Sequence, residues 1–238
     1  MGGDAFNGSR QFALPELSEG RGAKVSRMNC NGDGKFGHER EPIPKNLTQV
    51  GRAGKKHKAD LGLACDPDAD RLALVNEKGV PIGEELTLSI GVMQVLRRVR
   101  GATVINLSTS KTTSDVAEAM GSKVYLSKVG ESNVVQLMHR RKGVIGGEGN
   151  GGVIYPAFHA GRDSLIAAAL TLSCLAEKKI SLGQLAETLP KYYNIKTKAA
   201  LPQDFKARLK KLEKEAGALP GPCRIDRQDG LRFDFDRG

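Results

Sequence analysis

The sequence predicts an α/β fold built from two consecutive units, and three observations carry that reading. From about residue 100, short β-branched runs alternate with helical patterns, which is how βαβ units and a parallel sheet look in sequence. The first hundred residues show the same alternation. At 238 residues and 39% hydrophobic composition, the chain is long enough to bury a sizeable core.

In chain order, Lys24 to Met28 reads as a strand, Asn46 to Lys58 as a helix, and Asp60 to Cys65 and Leu72 to Val75 as strands. Glu84 to Arg98 reads as a helix with apolar positions at Leu86, Ile90, Met93 and Leu96. Thr103 to Leu107 is the next strand, Thr113 to Met120 a helix closed by Gly121, and Lys123 to Leu126 a strand. The pattern repeats with a helix over Ser132 to Arg141 and strands at Gly143 to Gly146 and Val153 to Tyr155. Asp163 is placed to cap a helix running from Leu165 to Glu177. Pro190 and the basic stretch Lys191 to Lys214 mark a further boundary. Within that stretch Phe205, Leu209 and Leu212 repeat at helical spacing. Cys223 to Asp226 and Gly230 to Phe235 read as two strands joined by a turn over Arg227 to Gly230.

Several function classes fall away on composition. No stretch approaches the roughly 20 apolar residues that span a bilayer, and the first residues lack the basic and apolar regions of a signal peptide, so the expectation is a cytoplasmic protein with no membrane partner. The four cysteines, Cys30, Cys65, Cys174 and Cys223, are scattered, which predicts reduced thiols and neither a zinc site nor a disulfide framework. The net charge of +10 suits nucleic acid, but the positive residues are spread out, aromatics are only 5%, and no nucleic-acid motif appears. Asn29 to Gly34 follows the start of a calcium loop, yet Arg40 stands where that loop needs Glu.

Two loops carry chemistry. Asp66-Pro-Asp68-Ala-Asp70-Arg71 lies between two predicted strands, and alternation along an extended segment would bring three carboxylates to one side. Crowded carboxylates call for a cation, and oxygen-only ligands suit a hard ion such as Mg²⁺. Arg71 adds a fixed positive charge suited to a phosphoryl group. The same residues also suit a solvated turn. The second loop, Gly146-Gly147-Glu148-Gly149-Asn150-Gly151-Gly152, cannot bind a dinucleotide, because strand-like Val153-Ile-Tyr155 follows where a helix must open. Its glycines permit close approach of a ligand, and Glu148 and Asn150 suit sugar hydroxyls. Spacing alone does not separate that from a plain glycine-rich hairpin.

In this order and separation the two loops resemble those of the α-D-phosphohexomutases, the family of phosphoglucomutase, phosphomannomutase and phosphoglucosamine mutase. Asp-Pro-Asp-Ala-Asp-Arg-Leu-Ala at 66 to 73 resembles the family's magnesium loop, and Gly-Glu-Gly-Asn-Gly-Gly at 147 to 152 its sugar-recognition loop. Lys128-Val-Gly-Glu131 and Gly161-Arg-Asp163 sit where the family has recurring motifs, and Asp229-Gly-Leu-Arg-Phe-Asp-Phe235 resembles the opening of its last domain.

The resemblance implies three-layer α/β domains of the phosphohexomutase type in a four-domain enzyme, with a phosphoserine in the first domain, the metal in the second, sugar contacts in the third and a phosphate clamp in the fourth. It implies that Asp66, Asp68 and Asp70 ligate Mg²⁺, that Arg71 neighbours a phosphate, and that Glu148, Asn150 and Lys128 bind a hexose phosphate substrate. Residues 1–99 would be the second domain, 100–190 the third, and 191–238 a linker with the first strands of a truncated α+β fourth. Nothing like the phosphoserine loop precedes residue 66 and no clamp motif follows Phe235, so the expectation is a fragment whose partners are the missing terminal domains. Met1-Gly-Gly-Asp4 stands in place of the apolar strand expected there, so the second domain is read as trimmed of its first strand. No catalytic residue is expected in this chain, which alone should be an inactive part of an isomerase. The alternative is a non-catalytic sugar-phosphate-binding or regulatory module of the same fold.

Overall fold

A computed structural model describes residues 1–36, 39, 41–195, 197, 199–216 and 223–235. His38, Arg40 and the Cys223 side chain lie outside the described residues. The chain forms two compact units, Met1–Tyr192 and Tyr193–Gly238.

The larger unit contains two four-stranded sheets of one plan. In the first, β1 (Gly2–Asp4), β2 (Ser26–Met28) and β3 (Gly62–Cys65) run parallel and β4 (Leu72–Val75) returns antiparallel, in the order β2-β1-β3-β4. In the second, β5 (Ala102–Asn106), β6 (Val124–Ser127) and β7 (Gly143–Glu148) run parallel and β8 (Gly152–Ile154) returns antiparallel, in the order β6-β5-β7-β8. In each sheet a short hairpin follows the last parallel strand. The tips of these hairpins, residues 66–71 and 149–151, are the two candidate loops. Both thus lie at the carboxyl ends of parallel strands, where open α/β sheets bind ligands.

The first strand corrects the expectation from sequence. Met1-Gly-Gly-Asp4 supplies little apolar surface, yet Gly2–Asp4 is a fully buried inner strand. Pairing on both sides, rather than side-chain burial, holds it. The Gly2 N–H donates to the Leu61 carbonyl and the Ser26 N–H to the Met1 carbonyl, each at 2.9 Å. Gly3 leaves room for Val25 beside it.

The helices follow their sequence signals with instructive exceptions. Helices α1 (Ala13–Glu19) and α2 (Thr48–Lys56) precede α3 (Glu84–Leu96), which is buried almost all round. It packs on β4, β7 and β8 as well as on α4 (Lys111–Ala119) and α6 (Ser164–Lys178). Leu88, Val92 and Val95 are therefore buried, while Leu86 and Met93, picked out by helical spacing, are half-buried. A helix covered on every side loses the one-faced pattern. Between them in chain order lies α5 (Glu131–Arg141), and α7 (Leu182–Glu187) closes the unit. One hydrophobic cluster runs from Leu63 and Leu74 through Leu88 and Ile90 to Ile105 and Ile145, so the two sheets share a core. Cys30, Cys65 and Cys174 are free thiols.

The smaller unit holds α8 (Phe205–Ala216) and an antiparallel pair, β9 (Cys223–Asp226) with β10 (Arg232–Phe235). Gly230 takes a φ of 79° in the connecting turn, a value natural to glycine. Among the described residues, no helix is long and apolar enough to cross a membrane.

Candidate functional site

The aspartate loop begins where β3 ends. Asp66 is completely buried, Asp68 is exposed and Asp70 lies between, and one carboxylate oxygen from each falls within 4.8 Å of the others. A turn brings them together, rather than strand alternation. Ala69 adopts a left-handed φ of 56°, and its N–H closes back on the Asp66 carbonyl at 3.1 Å. All donors are hard oxygens, and Asp70 Oδ1 is a buried oxygen without a hydrogen-bond partner. Such a set fits a hard divalent cation.

Arg71 faces inward. Its backbone N–H donates to Asp66 Oδ1 at 3.0 Å and its Nε to Asp66 Oδ2 at 2.5 Å, with Asp70 Oδ1 at 3.5 Å. A buried carboxylate needs such a counter-charge. Burial, reinforced by the hydrogen bond and charge of Asp66, pushes the Asp70 carboxyl up to about 7, against the opposing pull of Arg162.

The glycine-rich loop is anchored through Glu148. Glu148, only 4% exposed, accepts from Asn106 Nδ2 at 2.6 Å and from the Gly130 N–H at 2.9 Å through Oε1. Its Oε2 accepts from Arg162 Nη1. The Gly149 N–H donates to Thr109 Oγ1 at 3.1 Å, and Asn150 Oδ1 accepts from the Gly152 N–H at 3.2 Å, an Asx-type turn that orients the loop tip. Lys128 is exposed in the β6–α5 loop, two residues before the Gly130 that grips Glu148.

The two loops are fastened to each other. The Leu72 N–H donates to the Gly151 carbonyl and the Ser164 N–H to the Ala69 carbonyl, both at 3.1 Å, and the Ser9 N–H binds the Pro67 carbonyl at the same distance. Arg162 donates to both Asp70 Oδ2 and Glu148 Oε2. Asp163 caps α6 through Oδ1, which accepts from Leu165 N at 2.7 Å and Ile166 N at 3.0 Å. Its Oδ2 pairs with Arg10 at 3.2 Å. Asp66, Asp70, Arg71 and Glu148 thus belong to one hydrogen-bonded assembly. Glu131 and Arg162 lie in the two motifs picked out by resemblance, Lys128-Val-Gly-Glu131 and Gly161-Arg-Asp163, but spacing pairs neither with the two loops, and it gives no sign of Asn106 or Arg10. A buried glutamate in a glycine loop implies that some cation must face it, but not which.

Comparison with known proteins agrees with this layout. The model of phosphoglucomutase/phosphomannomutase α/β/α domain II matches residues 1–79, and that of α/β/α domain III matches residues 85–193. A phosphoglucomutase/phosphomannomutase of Thermococcus kodakarensis is 36% identical over 237 residues, covering 99% of this chain and 52% of that protein. A probable phosphoglucosamine mutase of Methanopyrus kandleri is 32% identical with the same coverage. The chain spans about half the length of the curated relatives it matches. Among solved structures, a phosphoglucomutase/phosphomannomutase family protein of Burkholderia thailandensis superposes with a TM-score of 0.83 at 24% identity, over 99% of this chain and 51% of that one. An Aspergillus fumigatus N-acetylphosphoglucosamine mutase, solved with GlcNAc-6P and magnesium, gives 0.55 at 15% identity over 97% and 60%. On its two domain matches, its relatives and its fold, the chain belongs to the phosphoglucomutase/phosphomannomutase family of α-D-phosphohexomutases.

Proposed function

We propose that the chain forms the metal- and sugar-binding part of a hexose phosphate mutase, which moves a phosphoryl group between the 1- and 6-positions through a bisphosphate intermediate. The observation that carries the reading is the joining of Asp70 and Glu148, one from each loop, through a single arginine.

In this reading Asp66, Asp68 and Asp70 hold Mg²⁺, the ion named with the A. fumigatus relative. When bound, the ion offsets charge on the transferring phosphoryl group. Arg71 holds the buried Asp66 in place, and its remaining N–H donors face phosphate oxygens. Glu148 and Asn150 hold sugar hydroxyls and Lys128 contributes a charge at the substrate's edge. Because both Glu148 oxygens already accept hydrogen bonds, a sugar hydroxyl adds to a preorganised carboxylate. The domain boundaries in this reading fall at 1–99, 100–190 and 191–238. The positive charge belongs to solvated surface rather than to a nucleic-acid site, as in α8, where Arg208 pairs with Asp204 and Lys211 with Glu215 one turn apart.

The phosphoryl donor and the phosphate clamp are assigned to the part of the enzyme outside these 238 residues. Positioning and electrostatics dominate phosphoryl transfer, so these residues alone have no sustained turnover. The test incubates the purified chain with glucose 1-phosphate or mannose 1-phosphate, Mg²⁺ and a bisphosphate activator, and follows the 6-phosphate with a coupled dehydrogenase. The expected result is no turnover alone, with activity appearing once the remaining domains of the T. kodakarensis relative are added. Failure to gain activity while hexose phosphate still binds would favour a non-catalytic sugar-phosphate module.

A further inference from the structure

Arg162 occupies an unusual position for a residue outside the metal and sugar loops. Its side chain is only 16% exposed, and its two terminal nitrogens divide between the loops, Nη2 on Asp70 Oδ2 and Nη1 on Glu148 Oε2. Its Nε lies 3.4 Å from Glu131 Oε2, and its backbone N–H donates to Glu131 Oε1 at 2.7 Å. The stem packs where a side chain on Gly152 would stand, so the arginine is wedged against the sugar-loop backbone. A planar fork can serve two carboxylates at once, whereas the point charge of a lysine cannot.

We propose that Arg162 is a positioning residue that couples the two halves of the site, so that a divalent cation at Asp66, Asp68 and Asp70 and a hexose phosphate at the sugar loop strengthen each other's binding. This inference rests on the function proposed above. Asp70 offers Oδ2 to Arg162 and retains Oδ1 without a hydrogen-bond partner, 3.5 Å from Arg71 Nε. A cation sharing the Asp70 charge repels the guanidinium and weakens its Nη2 bond. The donor so released stands beside Glu148, where the oxygens of a sugar phosphate replace Asp70 as acceptors. A bound sugar phosphate, by engaging the same donor, leaves Asp70 more available to the cation. Such coupling is reciprocal by thermodynamic necessity.

A rival explanation is charge alone. Five carboxylates, those of Asp66, Asp68, Asp70, Glu131 and Glu148, outnumber the guanidiniums of Arg71 and Arg162, so a cation would ease the approach of any anion. Arg162→Lys separates the two, because it keeps the charge and removes the fork.

The experiment is isothermal titration of MgCl₂ into the full 238-residue chain, with and without saturating glucose 1-phosphate, and the converse titration of the sugar phosphate. Binding of Mg²⁺ to free glucose 1-phosphate is measured separately and subtracted. The wild type should show a mutual tightening of about fivefold or more, equal in both directions. In Arg162→Lys each ligand should still bind, with the factor at least threefold smaller. Arg162→Gln is the second variant should the lysine variant misfold, and circular dichroism reports on folding. A wild-type factor of one or less, or an unchanged factor in the folded variants, would overturn this inference alone. Absence of Mg²⁺ or sugar-phosphate binding in the wild type would overturn the proposed function along with it.

Discussion

Arg71→Ala removes the guanidinium that faces a fully buried carboxylate. Asp66 has no exposed side-chain surface, and Arg71 supplies both a 2.5 Å charged hydrogen bond and a 3.0 Å backbone bond to it. The substitution deletes the first and leaves the second. Breaking a buried ion pair on one side costs about 3–5 kcal/mol, because the remaining charge stays desolvated. The Arg71 side chain is 26% exposed, so water reaches its side of the pair and the low end, about 3 kcal/mol, applies. For a chain of this size that corresponds to a Tm lowered by about 6–12 °C, read by circular dichroism. Mg²⁺ should return part of the loss, since a ligand at 100 times its Kd stabilises by about 2.7 kcal/mol. A Tm within about 2 °C of wild type without metal would refute the assignment of Arg71 as the counter-charge of Asp66.

Four further outcomes follow from local geometry. Gly151 has a φ of 94° with its hydrogen face against the Leu72 backbone, so Gly151→Ala should cost about 2–4 kcal/mol by urea denaturation, from strain and overlap together. Gly121, with a φ of 76° but open space around it, should lose only about 1 kcal/mol on the same change. Asp163→Ala removes the α6 cap and the Arg10 pair, and should destabilise by about 1–2 kcal/mol in the same assay, most of it from the cap. Burial pushes the Cys65 thiol up to about 12 and raises Cys174 as well, so neither should react with iodoacetamide at about pH 8 until denaturant is added. Rapid alkylation of Cys65 in the folded chain would show that β3 is less protected than its burial implies.

Much of this architecture is legible in the sequence, for identifiable reasons. The alternation of β-branched runs with helical spacing locates β3 to β8 and α2 to α6 because each is a contiguous segment with its own periodicity. The Gly2–Asp4 strand is not legible, since pairing on both edges holds it and its side chains carry almost no signal. Helix α7 is short, although Ser181 and Gln184 form a capping box that the sequence displays. Of the α3 positions picked out by spacing, Ile90 and Leu96 are buried and Leu86 and Met93 half-buried, and the burial of the helix's other sides is not legible because spacing looks for one apolar side. At the site, the carboxylate and glycine loops announce themselves by composition. Arg162 stands out only as part of Gly161-Arg-Asp163, and its role is not legible, because its partner Asp70 lies 92 residues away and only the fold of the two hairpins brings them together.

Everything proposed for the site depends on the aspartate loop holding a divalent cation. Isothermal titration of Mg²⁺ into the wild type, Asp68→Ala and Asp70→Ala tests it directly. Exposed Asp68 and partly buried Asp70 can each be truncated without opening the core beneath Asp66, so both variants should fold, which circular dichroism checks. The wild type should bind measurably, and binding should weaken at least tenfold in each variant, as expected when a carboxylate ligand is lost. Equal Mg²⁺ affinity in all three proteins would contradict it.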